Sequence, residues 1–275
     1  MAVEYPKLEF LNLSWPAEFV LHVELNRPKY LNAMHQPAYE EYGKVMALAG
    51  EDPDVRVIVV SGNGKSFSAG IDINALTSMG DTDVEEPSRK AIYLYRHLKH
   101  FQKCISMPAF IDKPVIAVIH GHTLGLGVDI ISACDFRYAV KGTKLSVRET
   151  AIGMTADIGS LQRLPKLASL GWVKEVSYTG RDFLAEEAEK NGLVERLFDS
   201  KEDALKGALD VAKSIASLSP VAVQGTKKSI NYAIDHTHEE SLEQIANFNS
   251  YALGADIVQG AMAARSKEKP RYEKL

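Results

Sequence analysis

The stretch PVIAVIHGHTLGLGVDIISACDFRYAV, residues 114–140, decides the architecture. Its first part, Pro114 to Gly121, is almost wholly apolar and rich in β-branched side chains, the composition of a strand covered on both faces. A glycine-rich elbow follows from Gly121 to Gly127, then an apolar helix through Val128, Ile130, Ile131 and Ala133, then a strand, FRYAV at 136–140. Strand, helix and second buried strand in that order imply a parallel pair joined by a right-handed crossover. Upstream, VRVIVV at 55–60 is another buried strand, and it too ends in a small-residue turn, SGNGKSFSAG at 61–70. Repeated units of this kind place the chain in the α/β class with a largely parallel sheet.

The flanks complete the layout. Residues 7–13 and 18–26 alternate apolar with polar at period two and read as a hairpin. Tyr39 to Ala49 and Ser88 to Met107 carry apolar residues at helical spacing, separated from each other by the 55–60 strand and by a loop rich in Asp, Thr and Gly around 79–87. KLSV at 144–147 is a fourth strand. Leu170 to Thr179 is a helix whose Trp172 and Tyr178, with Phe183 beyond it, read as core. Beyond about residue 200 the pattern is helical only, at 201–217, 220–234 and 239–265, with apolar stripes that need another surface to cover them.

Composition excludes several classes. The chain has 275 residues, with 32 Lys and Arg against 36 Asp and Glu and a formal charge of −4, so it carries no general basic field for nucleic acid or an anionic membrane. Cys104 and Cys134 stand alone, without the spacing of a disulfide scaffold or a zinc site, and read as reduced core residues. His120 and His122 flank the second glycine-rich turn. With no third ligand at suitable spacing they read as strand-end packing, and no metal is expected. No run of 18 apolar residues exists, and the first residues lack the features of a signal or transit peptide, which implies a soluble intracellular protein. Glu273-Lys274-Leu275 is similar to a peroxisomal Ser-Lys-Leu address, so the expected location is the peroxisome, or otherwise cytoplasm or mitochondrion.

Chemistry concentrates at the two turns. Small residues at the ends of adjacent parallel strands let backbone N–H groups approach a ligand, and two such turns side by side make a donor pair. A dinucleotide fingerprint fails at 125–130, where the third glycine is missing. Three acids fall in apolar surroundings: Asp129 in the first turn of the helix after the elbow, Glu149 after the 144–147 strand, and Asp157 in GMTADIG at 153–159. Apolar surroundings raise a carboxyl pKa toward the range useful for proton transfer, although Asp157 read alone also fits a helix N-cap.

In LNRPKYLNA at 25–33, FSAGIDI at 67–73, KPVIA at 113–117, LGLGVD at 124–129, CDFRY at 134–138 and QRLP at 162–165, the chain resembles the crotonase, or enoyl-CoA hydratase/isomerase, superfamily in order and over nearly its whole length. The resemblance implies a ββα spiral core with an acyl-CoA site over 1–200 and a helical trimerisation region over 201–275. It also implies an acyl-CoA substrate, no separate cofactor and a homotrimer or homohexamer. The thioester oxygen would be held by the N–H groups of Ile71 and Leu126, with Ser68, Ala69, Gly70 and Asp72 shaping the first turn. Leucine at 126 departs from the usual glycine and can reshape the mouth of the acyl pocket, to which the 74–90 loop also contributes. The set Asp129, Glu149 and Asp157, spaced 20 and 8 apart, is similar to that of Δ3,5-Δ2,4-dienoyl-CoA isomerases, which implies that Glu149 handles the C2 proton and Asp157 the C6 proton, with Asp129 a buried third acid that tunes or orients the site. An enoyl-CoA hydratase, a Δ3-Δ2-enoyl-CoA isomerase and a non-catalytic CoA-binding scaffold are the alternatives. Lys29, Lys267 and Lys269 are the candidates for the CoA phosphates, the last two reaching a neighbouring subunit's ligand.

Overall fold

A computed structural model describes residues 3–78 and 84–275. In chain order it contains β1 (Leu11–Ala17), β2 (Val20–Leu25), α1 (Gln36–Glu51), β3 (Val57–Gly62), α2 (Ile73–Ser78), α3 (Pro87–Phe110), β4 (Val115–Ile119), β5 (His122–Leu124), α4 (Leu126–Ala133), β6 (Phe136–Val140) and β7 (Lys144–Ser146). There follow α5 (Ser160–Leu167), α6 (Leu170–Thr179), β8 (Phe183–Leu184), α7 (Ala185–Lys190), β9 (Arg196–Phe198), α8 (Lys201–Ala216), α9 (Pro220–Ala233), α10 (His238–Ala252) and α11 (Ala255–Ser266).

Six strands form one sheet in the order β1-β2-β3-β4-β6-β9, antiparallel between β1 and β2 and parallel elsewhere. A second sheet, β5-β7-β8, runs alongside it. The central strands β3 and β4 are buried at every residue, as their β-branched composition requires. One face of the main sheet carries the core that includes α1, α3 and α4; Gly43 lets α1 approach α3 so closely that a β-carbon there would meet the Cys104 backbone at 2.7 Å. Both cysteines are buried and free.

The opposite face is covered by α8, whose Ala204, Ala208, Ala212 and Ala216 repeat every fourth residue and lie against Val20, Val57, Val59, Ile116, Val118 and Tyr138. The first helix of the expected C-terminal region is thus a layer of the core. Its alanines let the helix sit close to the strands, because a larger side chain at i, i+4 spacing would prop it away.

Several boundaries differ from expectation. The hairpin is real, but its first strand starts at Leu11, because the N–H groups of Glu9 and Phe10 donate to the Glu41 carboxylate and not to a neighbouring strand. The helix expected over 239–265 is two, broken at Leu253-Gly254. Tyr178, expected in the core, is 72% exposed on α6, whereas Trp172 and Phe183 are buried and meet edge to face. Helical periodicity places Trp172, Val173 and Val176 inward and leaves Tyr178 on the outer side. Residues 79–83 of the expected pocket-shaping loop lie outside the described residues. Among those described, no helix is long and apolar enough to cross a membrane.

The alanine face of α8 yields a direct test. Ala208→Leu should cost about 1–3 kcal/mol, the usual penalty for overpacking a filled interface, and a fall in the midpoint of denaturant unfolding with an unchanged slope would register it.

Candidate active site

Two turns at the carboxyl ends of β3 and β4 are laced together. The Ser68 N–H donates to the His122 carbonyl at 3.0 Å and the Leu124 N–H to the Ser68 carbonyl at 3.0 Å, pairing the first turn with β5. The Ser68 hydroxyl is enclosed: it donates to the Asn32 carbonyl and accepts from the Gly70 N–H, so it shapes the turn from within. Ala69 donates to the Leu31 carbonyl. Gly70, at φ +100°, passes where a β-carbon would lie 2.7 Å from the Leu124 oxygen and 3.6 Å from the Leu126 nitrogen. Only glycine permits both the conformation and the approach. The N–H groups of Ile71 and Leu126 meet no acceptor among the described residues. Asp72 is held by Arg27 at 3.3 Å and accepts from the Asn74 N–H, which braces the far end of the same turn. The Leu126 side chain is buried with the core, so it does not stand at an open mouth, contrary to expectation.

The acids gather around these turns. Glu149 opens a short 3-10 turn, Glu149–Ile152, after β7. A β-carbon on Gly125, one residue before Leu126, would lie 3.2 Å from its Oε1, and its buried Oε2 has no hydrogen-bond partner among the described residues. Burial first, then the charges of Asp129 and Asp157, push its pKa up to about 7. Asp129, in the first turn of α4, is 1% exposed, and burial pushes its carboxyl up to about 6 even though Oδ1 accepts the Ser160 N–H at 2.6 Å. Asp157 is half-buried on the segment entering α5, and desolvation raises it as well. The helix beyond Asp157 begins at Ser160, and the carboxylate on its first N–H is that of Asp129. The N-cap alternative for Asp157 therefore fails: Asp129, distant in sequence, occupies that place.

The enoyl-CoA hydratase/isomerase family model matches residues 17–274. The chain belongs to that family. Its most similar relatives include the mitochondrial Δ3,5-Δ2,4-dienoyl-CoA isomerase of Rattus norvegicus, 40% identical over 94% of this chain and 80% of the relative, and the peroxisomal Δ3,5-Δ2,4-dienoyl-CoA isomerase of Arabidopsis thaliana, 36% identical over 98% of each. Among solved structures, an enoyl-CoA hydratase from Bacillus anthracis superposes with a TM-score of 0.87 at 28% identity, covering 96% of this chain and 99% of that one. The crotonase fold expected from the motifs is thereby established.

Within this family member, three residues that sequence reasoning left without a role hold the site in place, two at the acids and one at the first turn. The half-buried Arg163 donates through its guanidinium to the carbonyls of Asp129 and Ile158 and to the hydroxyls of Ser132 and Ser106, tying α5 to α4 and α3. Gln102 of α3 donates to the Asp157 carbonyl at 2.7 Å. Asn32, 2% exposed, bonds the Asn63 and Ser66 carbonyls and so carries the first turn. Arg163 and Asn32 lie in motifs that marked the family, yet their partners are distant in sequence and no local pattern names them.

The cation candidates divide. Lys29 is exposed on the 3-10 turn Pro28–Tyr30, next to the Leu31 carbonyl that receives Ala69, and so flanks the first donor turn. Lys267 and Lys269 are exposed after α11, and the tail beyond them is bound by Arg56, which donates to the Tyr272 and Glu273 carbonyls just before β3 begins. That is the opposite end of the sheet from the turns, so the fold of a single chain does not bring these two lysines to the site. His120 donates from Nε2 to the Gly64 carbonyl and His122 pairs with the Ser66 hydroxyl. Among the described residues, no group of three or more His, Cys, Asp or Glu is placed to hold a metal.

Asp129 carries a pH signature. Because its folded pKa, about 6, lies above the ordinary 3.8, its favourable contribution is complete below pH 3.8 and is lost as pH rises through 6. Asp129→Asn keeps an acceptor for Ser160 and removes the charge, so its thermal midpoint should fall less between pH 4 and pH 8 than the parent's. Asp129→Ala strands the Ser160 N–H and should cost about 1–3 kcal/mol at either pH.

Proposed function

We propose that the chain is a Δ3,5-Δ2,4-dienoyl-CoA isomerase, and the observation that carries this reading is the third acid: half-buried Asp157 sits on the segment entering α5, whose first N–H is bonded to the Asp129 carboxylate, so it is drawn against the helix that follows the second turn. Its two most informative relatives bear that name. A hydratase needs acids that act on one water, whereas moving two double bonds needs one group at C2 and a second at C6, farther along the acyl chain.

In this mechanism the thioester oxygen of a 3,5-dienoyl-CoA accepts the N–H groups of Ile71 and Leu126. Glu149, ionised, removes a proton from C2. The electron pair delocalises through the 3,5-diene and onto the carbonyl oxygen, where each donor is worth a factor of about 10² to 10³ in rate. Protonated Asp157 returns a proton at C6, leaving double bonds at 2 and 4, and proton exchange with solvent or between the acids resets the pair. A carboxyl near pKa 7 suits the base, because it is ionised in good part at neutral pH yet basic enough to take a carbon-bound proton. Desolvation at Asp157 favours the protonated form that the second step requires. Asp129, enclosed and hydrogen-bonded to Ser160, raises Glu149 by its charge and serves as the orienting third acid. Lys29 is the candidate for a CoA phosphate within the same chain.

We further infer a homotrimer or a hexamer of two trimers. The support is the apolar surface left on the last helices, where Leu242, Tyr251, Leu253, Ile257, Val258 and Met262 are all more than half exposed. In such an assembly Lys267 and Lys269 would serve a neighbour's CoA.

Glu149→Gln and Asp157→Asn should each lower turnover of 3,5-dienoyl-CoA by about 10² or more, read as the growth of 2,4-dienoyl absorbance, with native mass retained. The parent's kcat/KM should rise with pH through about 7 as Glu149 loses its proton, a limb that Glu149→Gln lacks. Hydration of 2-enoyl-CoA without diene conjugation would replace this assignment with the hydratase. For the assembly, light scattering should give three or six chains, and the pair Ile257→Glu, Met262→Glu should release smaller species.

A further inference from the structure

Among the described residues, the Asp157 carboxyl receives no helix N–H and no cationic side chain, only the N–H of its own residue, so its aim comes from its main chain. Two consecutive carbonyls there are gripped from outside. Gln102 Nε2 donates to the Asp157 oxygen at 2.7 Å, and Arg163 donates to the Ile158 oxygen at 3.3 Å. Both grips trace to one face of α3, since Arg163 also donates to the hydroxyl of Ser106, one turn beyond Gln102, at 3.1 Å. The platform beneath is firm: Phe101 is 2% exposed and stacked on Tyr39 with ring centroids 3.9 Å apart, and Ile105 is fully buried. The Gln102 amide is also oriented at its other end, where Oε1 accepts Lys99 Nζ at 3.1 Å, which directs Nε2 toward Asp157.

We propose that Gln102 is a positioning residue for the second proton transfer, holding the Asp157 main chain so that its carboxyl faces C6 of the bound acyl group while remaining free to exchange a proton. A hydrogen bond made to the carboxyl itself would compete with the proton it has to deliver. A bond made to the carbonyl fixes the side chain's origin and leaves its oxygens available. Glu149 is held elsewhere, by β7 and the 3-10 turn after it, so Gln102 serves the C6 step and leaves the C2 step untouched. This inference rests on the dienoyl isomerase reading.

Gln102→Met preserves length and volume and removes the donor. Turnover of 3,5-dienoyl-CoA should drop by about tenfold to 10², as small misplacements of a reacting group do, with KM within about twofold and the thermal midpoint little changed. A comparison of ordinary with C2-deuterated substrate then locates the slowed step. If C6 protonation has become limiting, the isotope effect on kcat in Gln102→Met is no larger than in the parent. An isotope effect that rises means that removal of the C2 proton was damaged and overturns the proposal, as does turnover at the parental rate. A parent enzyme that forms no conjugated diene overturns the isomerase reading and this role together, whereas a parent that does, beside an unaffected variant, overturns this role alone.

Discussion

The hydrogen bond from the Ser160 N–H to the buried Asp129 carboxylate is the constraint on which the site depends. A carboxyl with 1% exposure is costly unless something answers it. Here the answer is the start of α5, whose first N–H would otherwise be an orphan, backed by the nearby charge of Arg163. Satisfying one buried acid thus draws the segment that carries Asp157 against the helix that carries Asp129, and the second acid arrives beside the first because of the needs of a helix terminus. Arg163 completes the junction through four hydrogen bonds to carbonyls and hydroxyls, which hold the segment without pairing directly with the Asp129 carboxylate, whose charge, when ionised, raises Glu149.

A second constraint is geometric. The turns after β3 and β4 interlock through Ser68 and β5, and the closeness of that junction follows from glycine at 70. Side chains with a β-carbon would force the backbones apart and separate the N–H groups of Ile71 and Leu126. Leucine at 126 is tolerated because its side chain turns into the core and leaves only its main chain at the junction. The buried parallel strands beneath supply rigidity, and α8 seals their other face with alanines. The site therefore stands on elements that cannot shift independently, which is what the proposed placement of two proton-transfer groups along one acyl chain requires.

Much of this was legible in residue order. Val57–Gly62 and Val115–Ile119 could hardly be anything other than doubly covered strands, and the small residues after each could hardly be anything other than turns. Glu149 and Asp157 stood out as acids in apolar surroundings. The failures share a cause. Tyr178, the break at Leu253-Gly254 and the start of β1 at Leu11 depend on which surface a neighbouring element offers, and a one-dimensional pattern carries no record of that.

The amino-acid order alone determined the strand and helix types, the two turns, the three acids and their membership of one family, because periodicity, β-branching and glycine act locally on the backbone. Only the tertiary structure decided that Asp129 rather than Asp157 caps α5, that Gln102 and Arg163 hold the Asp157 segment, and that Lys267 and Lys269 lie at the far end of the sheet within their own chain. Those outcomes turn on hydrogen bonds between residues 31 to 216 positions apart, or on a guanidinium reaching a nearby carbonyl that another helix has presented. Such pairings are settled by burial and the demand that every enclosed polar group find a partner, a condition that exists only once the chain has folded.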